Sequence, residues 1–233
     1  MTELFRFPHT PHLAWLGDGV PRDDKVLSPD EAREILSMDV VVEEKLDGAN
    51  LGFSVSADGK LQAQNRSHYL VEPYAGQFSR LRSWLPAHEQ RLIDALGPDL
   101  IAFGEWCVAR HSITYDHLPD WWLLFDVYDR SEQRFWSTVK RNQWAAQLDI
   151  STVPALDRGK LSLNRLERML QTSGSTFSTG PLEGVVIRTE DDAWLKARAK
   201  LVRGDFTQSI QSHWRARVLE WNRLGTIEKA KKR

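Results

Sequence analysis

The sequence has almost no cysteine and no long apolar run. Its single cysteine, Cys107, excludes an internal disulfide and a cysteine-based zinc site. No stretch of about 18 apolar residues occurs, so we expect no membrane-spanning helix. The first ten residues, MTELFRFPHT, lack the apolar core of a signal peptide. These absences favour a cytoplasmic protein that has no contact with a membrane.

Several common sequence signatures are also missing. We find no internal repeat, no low-complexity linker, no P-loop, no glycine-rich dinucleotide fingerprint and no Gly-x-Ser-x-Gly elbow. The 233 residues, 41% hydrophobic and 27% charged, fit one globular domain with at most a small appendage.

Charge is distributed unevenly, although the net charge is only −1. From Lys196 to Arg233 there are eleven Lys and Arg against three Asp and Glu. From Asp99 to Arg134 there are three Arg against seven Asp and Glu. The first segment can attract polyanions and the second can gather carboxylates near a metal, although a solvated helix face explains the basic segment equally well.

Helical and strand patterns are interspersed without a regular βαβ rhythm, which predicts an α+β fold with largely antiparallel sheets. Ser28-Pro29-Asp30-Glu31 is typical of a helix start, and Ala57-Asp58-Gly59-Lys60 of a hairpin turn. The predicted helices cover 29–38, 73–84, 86–96, 137–148, 163–171 and 205–224. The predicted strands cover 39–44, 51–56, 61–65, 100–106, 121–128, 184–188 and 193–198.

One short motif carries a reactive group. Glu43-Glu44-Lys45-Leu46-Asp47-Gly48-Ala49-Asn50 lies between two predicted strands, so Lys45 ends a strand and a tight turn follows it. A lysine amine is a good nucleophile only when it is deprotonated, and burial, a nearby cation or a bound metal would lower its pKa. Taken alone, a surface lysine before a common Asp-Gly turn is an equally simple interpretation.

Lys-x-Asp-Gly resembles the nucleophile motif of the covalent nucleotidyltransferases, which comprise ATP-dependent DNA ligases, RNA ligases and mRNA capping enzymes. The longer string Glu-Lys-Leu-Asp-Gly-Ala-Asn looks most like the ATP-dependent RNA ligase branch. Five more segments resemble the family's later motifs in the same order, so the resemblance spans about two thirds of the chain. They are Asn65-Arg66-Ser67, Phe103-Gly104-Glu105-Trp106, Leu124-Phe125-Asp126-Val127-Tyr128, Leu182-Glu183-Gly184-Val185-Val186-Ile187-Arg188 and Trp194-Leu195-Lys196-Ala197-Arg198-Ala199-Lys200.

The resemblance implies a ligase adenylation domain, ATP-grasp-like, with helices flanking the sheets, and roles for particular residues. Lys45 would attack the α-phosphate of ATP and form lysyl-AMP, and Glu183 would hold Mg²⁺ or Mn²⁺. The family's fifth motif usually has two lysines one residue apart, whereas here Lys196, Arg198 and Lys200 all hold that spacing, so the pair that meets the phosphate stays open. The implied nucleotide-binding residues are Glu44, Asp47, Gly48, Asn50, Arg66, Glu105 and Phe125.

The substrate expected from this resemblance is RNA with a 5′-phosphate and a 3′-hydroxyl, as in RNA repair. DNA ligases and capping enzymes of the superfamily usually append an OB-fold barrel, and the 33 residues after Lys200 are too few for one. We therefore divide the chain into an adenylyltransferase domain, 1–200, and a short basic helical extension, 201–233.

Three alternatives to an RNA ligase stay open: a DNA ligase, a capping-type enzyme, and a nucleotide- or RNA-binding module that has lost the chemistry. The sequence also leaves open whether a kinase or phosphatase partner prepares the RNA ends.

Overall fold

The computed structural model describes residues 4–18, 25–209 and 219–225, and these ranges contain two antiparallel sheets with helices around them. The helices are α1 (Pro29–Ser37), α2 (Leu81–Leu96), α3 (Thr138–Gln147), α4 (Leu163–Thr172) and α5 (Gly204–Ser209). The strands are β1 (Val40–Lys45), β2 (Ala49–Val55), β3 (Leu61–Gln64), β4 (Leu100–Trp106), β5 (Trp122–Asp129), β6 (Arg134–Phe135), β7 (Ala155–Gly159), β8 (Gly184–Glu190) and β9 (Leu195–Val202).

The strands form a first sheet in the order β7-β1-β8-β9 and a second sheet in the order β3-β2-β4-β5-β6. Every strand pair in both sheets is antiparallel. This arrangement confirms the α+β prediction. The chain crosses from the first sheet to the second through three residues, Leu46–Gly48, so the segment after Lys45 joins the two sheets.

Local sequence explains where several elements begin and turn. Ser28 and Glu31 form a reciprocal capping box at the start of α1, with Pro29 in its first turn. Gly59 adopts a φ of 77° in the hairpin between β2 and β3, a conformation that glycine reaches without strain.

Each sheet buries one face against helices. On the first sheet, alternate residues such as Val40, Val42 and Ile187 pack with α1 and α4. On the second sheet, aromatic residues such as Phe53 and Trp122 pack with α2. Because side chains alternate along a strand, the residues between these apolar ones, including Glu43 and Lys45 on β1, point to the opposite face of the sheet.

Some predicted elements differ from the structure. The predicted helix over 73–84 is wrong, because residues 73–80 contain only a 3-10 turn, Gly76–Phe78, before α2 begins at Leu81. The helix α2 continues through Pro86, where we had predicted a new start. Strands β6 and β7 were not predicted.

The predicted helix over 205–224 is only partly present. Helix α5 covers its first turns, and residues 210–218 lie outside the described residues. Residues 219–225 are not helical but pair with the segment after β4, through bridges from Trp221 to Ala109 and from Leu224 to Leu118. The prediction is therefore wrong at its end, because pairing with backbone groups outweighs the helical spacing of the tryptophans. Within the described ranges, no helix is long and apolar enough to cross a membrane.

Candidate active site

A cavity of about 470 Å³ is lined by residues of both sheets. Nine of the twelve residues singled out in the sequence line it: Glu44, Lys45, Gly48, Asn50, Arg66, Glu105, Phe125, Arg198 and Lys200. The other three, Asp47, Glu183 and Lys196, lie outside its lining. The motifs are thus brought to one place although they are spread over more than 150 residues of sequence.

Lys45 is held at the end of β1 by an ion pair with Glu183. The Lys45 Nζ donates a hydrogen bond of 2.6 Å to Glu183 Oε1, and the two side chains are 28% and 8% exposed. Antiparallel pairing sets this contact, because Lys45 lies opposite Gly184 on β8. The structure therefore places the Lys45 amine beside the Glu183 carboxylate.

The turn after Lys45 approaches the second sheet closely. The Gly48 N–H donates to Glu105 Oε1 at 3.0 Å. A Cβ atom on Gly48 would lie 2.6 Å from the carbonyl oxygen of Trp106, which is too close for any side chain. The motif needs glycine at this position so that the turn can pack against β4.

The charges around Lys45 are unbalanced, and the pKa values reflect this. Burial lowers the pKa of Lys45, but the negative charges of Glu183, Glu105 and Asp47 outweigh it and raise that pKa above its ordinary value. Burial raises the pKa of Glu183 to about 7, against the opposing attraction of Lys45. Burial likewise raises the pKa of Glu105 to about 7. The surrounding carboxylates therefore favour the protonated form of Lys45.

Basic side chains on β9 and on the loop after β3 line the cavity. Arg198 and Lys200 both face it, and Arg66 approaches from the loop. Lys200 lies close enough to Glu183 to lower the pKa of that carboxyl. Lys196 is 50% exposed and pairs with Asp191 at 2.5 Å, outside the cavity lining. Of the two pairs left open by the sequence, the cavity lining contains Arg198 and Lys200, and a phosphate contact by Lys196 stays a prediction.

Arg198 also belongs to a buried group of ion pairs, which we call the arginine network. Glu43 pairs with Arg141 at 2.5 Å, and Asp126 pairs with Arg188 at 2.8 Å and also with Arg198. Glu190 lies 3.7 Å from Arg188 and completes the network. Three arginines thus face three carboxylates. Burial lowers the pKa of Arg198 to about 10, so this side chain still carries its charge at neutral pH.

Apolar groups form another part of the cavity wall. Phe125 lines it, and the Phe7 ring meets the Phe125 ring at 5.2 Å in an edge-on contact. Val186 also lines the cavity. This wall suits a flat aromatic base.

The Glu44 carboxylate accepts hydrogen bonds from Ser175 Oγ and Thr176 N, so the carboxylate is occupied and the rest of Glu44 is available to a ligand.

Asp47 has a different environment from the one expected. Its Oδ2 accepts hydrogen bonds from the Ser112 and Ile113 amides at 2.6 and 2.9 Å, and its own amide donates to the Tyr115 hydroxyl at 2.8 Å. These contacts lie outside the cavity lining, and the nucleotide-binding role of Asp47 stays a prediction.

The residues present fit a divalent metal. Among the described residues, no group of three or more His, Cys, Asp or Glu side chains could hold a metal by itself. Mg²⁺, however, is commonly bound through one or two carboxylates together with substrate phosphates. The Glu183 Oε2 is buried and has no hydrogen-bond partner within the described ranges, which leaves it available for this purpose.

Some residues of the cavity were missed in the sequence. Phe7, His9 and Thr10 come from an N-terminal segment that runs beside β9, where the Lys200 amide donates to the Pro11 carbonyl. No motif marks this segment. Val186, in contrast, lies within the recognised Glu-Gly-Val-Val string, between the core residues Val185 and Ile187, so strand alternation could have placed it on the cavity side.

Comparison with solved structures shows the same fold in other proteins. An apo RNA ligase mutant from Naegleria gruberi is 20% identical, with a TM-score of 0.63 over 89% of this chain and 58% of that one. A mutant of Naegleria gruberi RNA ligase with ATP and Mn is 19% identical, with a TM-score of 0.57 over 77% and 54%. A candidate ATP-dependent DNA ligase from Aquifex aeolicus is 21% identical, with a TM-score of 0.55 over 86% and 50%.

The chain therefore spans between 50% and 58% of the length of these structures. No curated protein sequence matches it significantly. The family model of RNA ligase matches residues 38–202, which is more than half of the chain and includes all six motifs. The chain belongs to the RNA ligase family.

Proposed function

We propose that this protein is an ATP-dependent RNA ligase that uses Lys45 as its nucleophile. The observation that carries the proposal is the ion pair between Lys45 and the buried Glu183 at a cavity with basic and aromatic walls. Membership of the RNA ligase family and the likeness to a ligase with ATP and Mn support it.

The first proposed step joins AMP to the protein. The Lys45 Nζ attacks the α-phosphate of ATP, an N–P bond forms, and the P–O bond to pyrophosphate breaks. The lysine proton passes to a base, for which Glu183 Oε1 is within hydrogen-bond distance. Lys200 and Arg198 stabilise the charge of the phosphates, and Phe125 contacts the adenine ring.

A divalent metal, Mg²⁺ or Mn²⁺, would be held by Glu183 together with the phosphates and would supply positive charge. Without such a cation, the negative charges of Glu183, Glu105 and Asp47 raise the pKa of Lys45. A cation there favours the neutral amine and the ionised forms of Glu183 and Glu105. The same ion would thus assist both the Lys45 amine and the transferred phosphate.

The next two steps seal the strand. AMP passes from Lys45 to the 5′-phosphate of an RNA end, and the freed lysine regains its proton. A 3′-hydroxyl then attacks that phosphate, the phosphodiester forms, and AMP leaves. We place this chemistry in residues 1–200 and assign 201–233 to holding RNA phosphates. RNA repair is the corresponding role, and a kinase or phosphatase could prepare the ends.

The decisive experiment is covalent labelling with α-labelled ATP and Mg²⁺. Wild-type protein should acquire label through an acid-labile, alkali-stable bond, and Lys45→Ala should acquire none, because no other group can replace the amine. Glu183→Gln should label about 100-fold more slowly, since it loses the carboxylate that would hold the metal and accept the lysine proton. Lys60→Ala is the matched control, because Lys60 forms an exposed pair with Asp58. Absence of label on the wild-type protein would exclude the proposed activity.

A second assay distinguishes the alternatives. GTP tested beside ATP separates a ligase from a capping-type enzyme. A panel of 5′-phosphorylated nicks made of RNA, of DNA, or with ribose only at the 3′-hydroxyl separates RNA from DNA ligation. Faster sealing of the all-DNA nick would contradict the RNA assignment.

A further inference from the structure

Residues 219–225 form a short extended segment, which we call the strap, beyond the part of the chain that the family model matches. The strap lies on the segment that follows β4. Backbone hydrogen bonds join Asn222 to Val108, Arg223 to Tyr115, and Gly225 to Leu118. An ion pair between Glu220 and Arg110 adds an exposed contact.

Asn222 makes the deepest contacts of the strap. It is 2% exposed, and its Oδ1 accepts a hydrogen bond of 2.9 Å from the Tyr115 amide. Its Nδ2 donates to the carbonyl oxygens of Cys107 and Ala109 at 2.8 and 3.2 Å. The side-chain amide is thus matched to one donor and two acceptors of the opposing backbone, an arrangement that no aliphatic side chain can reproduce.

Tyr115 connects these contacts to the nucleophile. Its ring is fully buried and its backbone is held on both sides by the strap. Its hydroxyl accepts the hydrogen bond from the Asp47 amide, and Asp47 lies two residues after Lys45. The Asp47 carboxylate is held by the amides of Ser112 and Ile113, in the same segment. The side chains of Asn222 and Tyr115 therefore link the strap to the turn that follows Lys45.

We infer that Asn222 and Tyr115 are positioning residues for Lys45: the strap fixes the segment 107–118, and this segment fixes the turn after the nucleophile. Neither the strap nor the segment 107–118 lines the cavity. The contacts therefore act on the direction of the Lys45 amine and contribute nothing directly to ATP binding. A displacement of about 1 Å at a reacting group can slow a reaction about 100-fold.

This inference rests on the proposed adenylation by Lys45, and its test includes a measurement that needs no activity. In the full chain, Asn222→Ala and Tyr115→Phe should each slow labelling at saturating ATP by about tenfold or more, whereas the ATP concentration for half-maximal rate should change less than twofold. Tyr115→Phe removes one oxygen and keeps the buried ring, so it tests the hydrogen bond from the Asp47 amide with little change to packing. In the double variant the effects should fall short of additive, because both substitutions break one path.

Hydrogen exchange without ATP supplies the independent measurement. The Asp47 amide should exchange at least tenfold faster in both variants, whereas the Leu92 amide in the core of α2 should be unchanged. Glu220→Gln, which removes only the exposed ion pair of the strap, should match the wild type in both measurements. If the wild-type protein acquires no label, the proposed function is refuted. The hydrogen-exchange result then still tests the contacts from Asn222 through Tyr115 to Asp47. Unchanged Asp47 exchange in Asn222→Ala, or equal acceleration at Leu92, would overturn the inference.

Discussion

Two groups of charges lie side by side in this protein and differ in their balance. The arginine network has three arginines and three carboxylates, whereas the group around Lys45 has three carboxylates, Asp47, Glu105 and Glu183, against two amines, Lys45 and Lys200. Glu43 and Lys45 belong one to each group, although they are only two residues apart on β1. The balanced group has its charges satisfied within the protein. The unbalanced group is completed only by a cation from outside, which is what a metal-dependent site requires.

The largest expected effect comes from breaking the balanced group. Arg141→Ala should lower the free energy of unfolding by about 3–5 kcal/mol, because the buried Glu43 carboxylate loses its 2.5 Å ion pair and keeps the longer contact to Arg188 at 3.8 Å. Chemical denaturation measures this change. Arg165→Ala removes an exposed pair with Asp157 and should cost less than about 1 kcal/mol. Similar losses for both variants would show that the network contributes no more than surface pairs do.

A smaller effect of the opposite sign is expected in the unbalanced group. Glu105 holds its proton up to about pH 7 in the folded protein, whereas its ordinary pKa is 4.5. Its contribution to stability is therefore complete below pH 4.5 and is lost as the pH rises through about 7. Glu105→Gln should raise the unfolding free energy of the metal-free protein at pH 8 by on the order of 3 kcal/mol, since the pKa rises from 4.5 to about 7 and one pKa unit corresponds to about 1.4 kcal/mol.

Denaturation at pH 5 and pH 8 tests this pH dependence. Wild-type protein should lose stability between the two values, and Glu105→Gln should lose less. Glu132→Gln, at an exposed position, should follow the wild type. A wild-type profile that Glu105→Gln does not alter would show that the carboxyl is not strained by its surroundings.

The smallest expected effect compares two lysines on β9. Lys200 lines the cavity and lowers the pKa of Glu183, whereas Lys196 pairs with Asp191 outside it. Lys200→Ala should slow labelling by ATP about tenfold or more, and Lys196→Ala should leave the rate within twofold of the wild type. An equal loss of labelling rate in both variants would show that Lys196 also contributes to the reaction.

The sequence predicted those parts of the protein that have a local signature. The strand over 100–106 and the hairpin at Gly59 were found as predicted. The ordered motifs led to the residues that line the cavity, because short strings around Lys45 and Glu183 are distinctive. The role of each site residue stays a prediction until it is measured.

Other features depend on contacts between distant residues and had no local signature. The pair of Arg141 and Glu43 joins positions 98 residues apart. Strand β7 reads Ala-Leu-Asp-Arg-Gly and lacks an apolar pattern, since it lies at the edge of its sheet. The strap was mistaken for helix because Trp214 and Trp221 have helical spacing, yet Trp221 is 39% exposed and lies under the Arg80 guanidinium.

The topology of the two sheets has a consequence for how the protein folds. The second sheet is made of strands that pair with near neighbours in sequence, all between residues 49 and 135. The first sheet forms later, because its strand β1 pairs with β7 and β8, which begin at residues 155 and 184. Such distant pairings form late, because closing a long loop costs conformational entropy before the stabilising contacts have formed. During synthesis, β1 and its lysine therefore emerge long before their partners, and the ribosome must translate most of the chain before Lys45 meets Glu183.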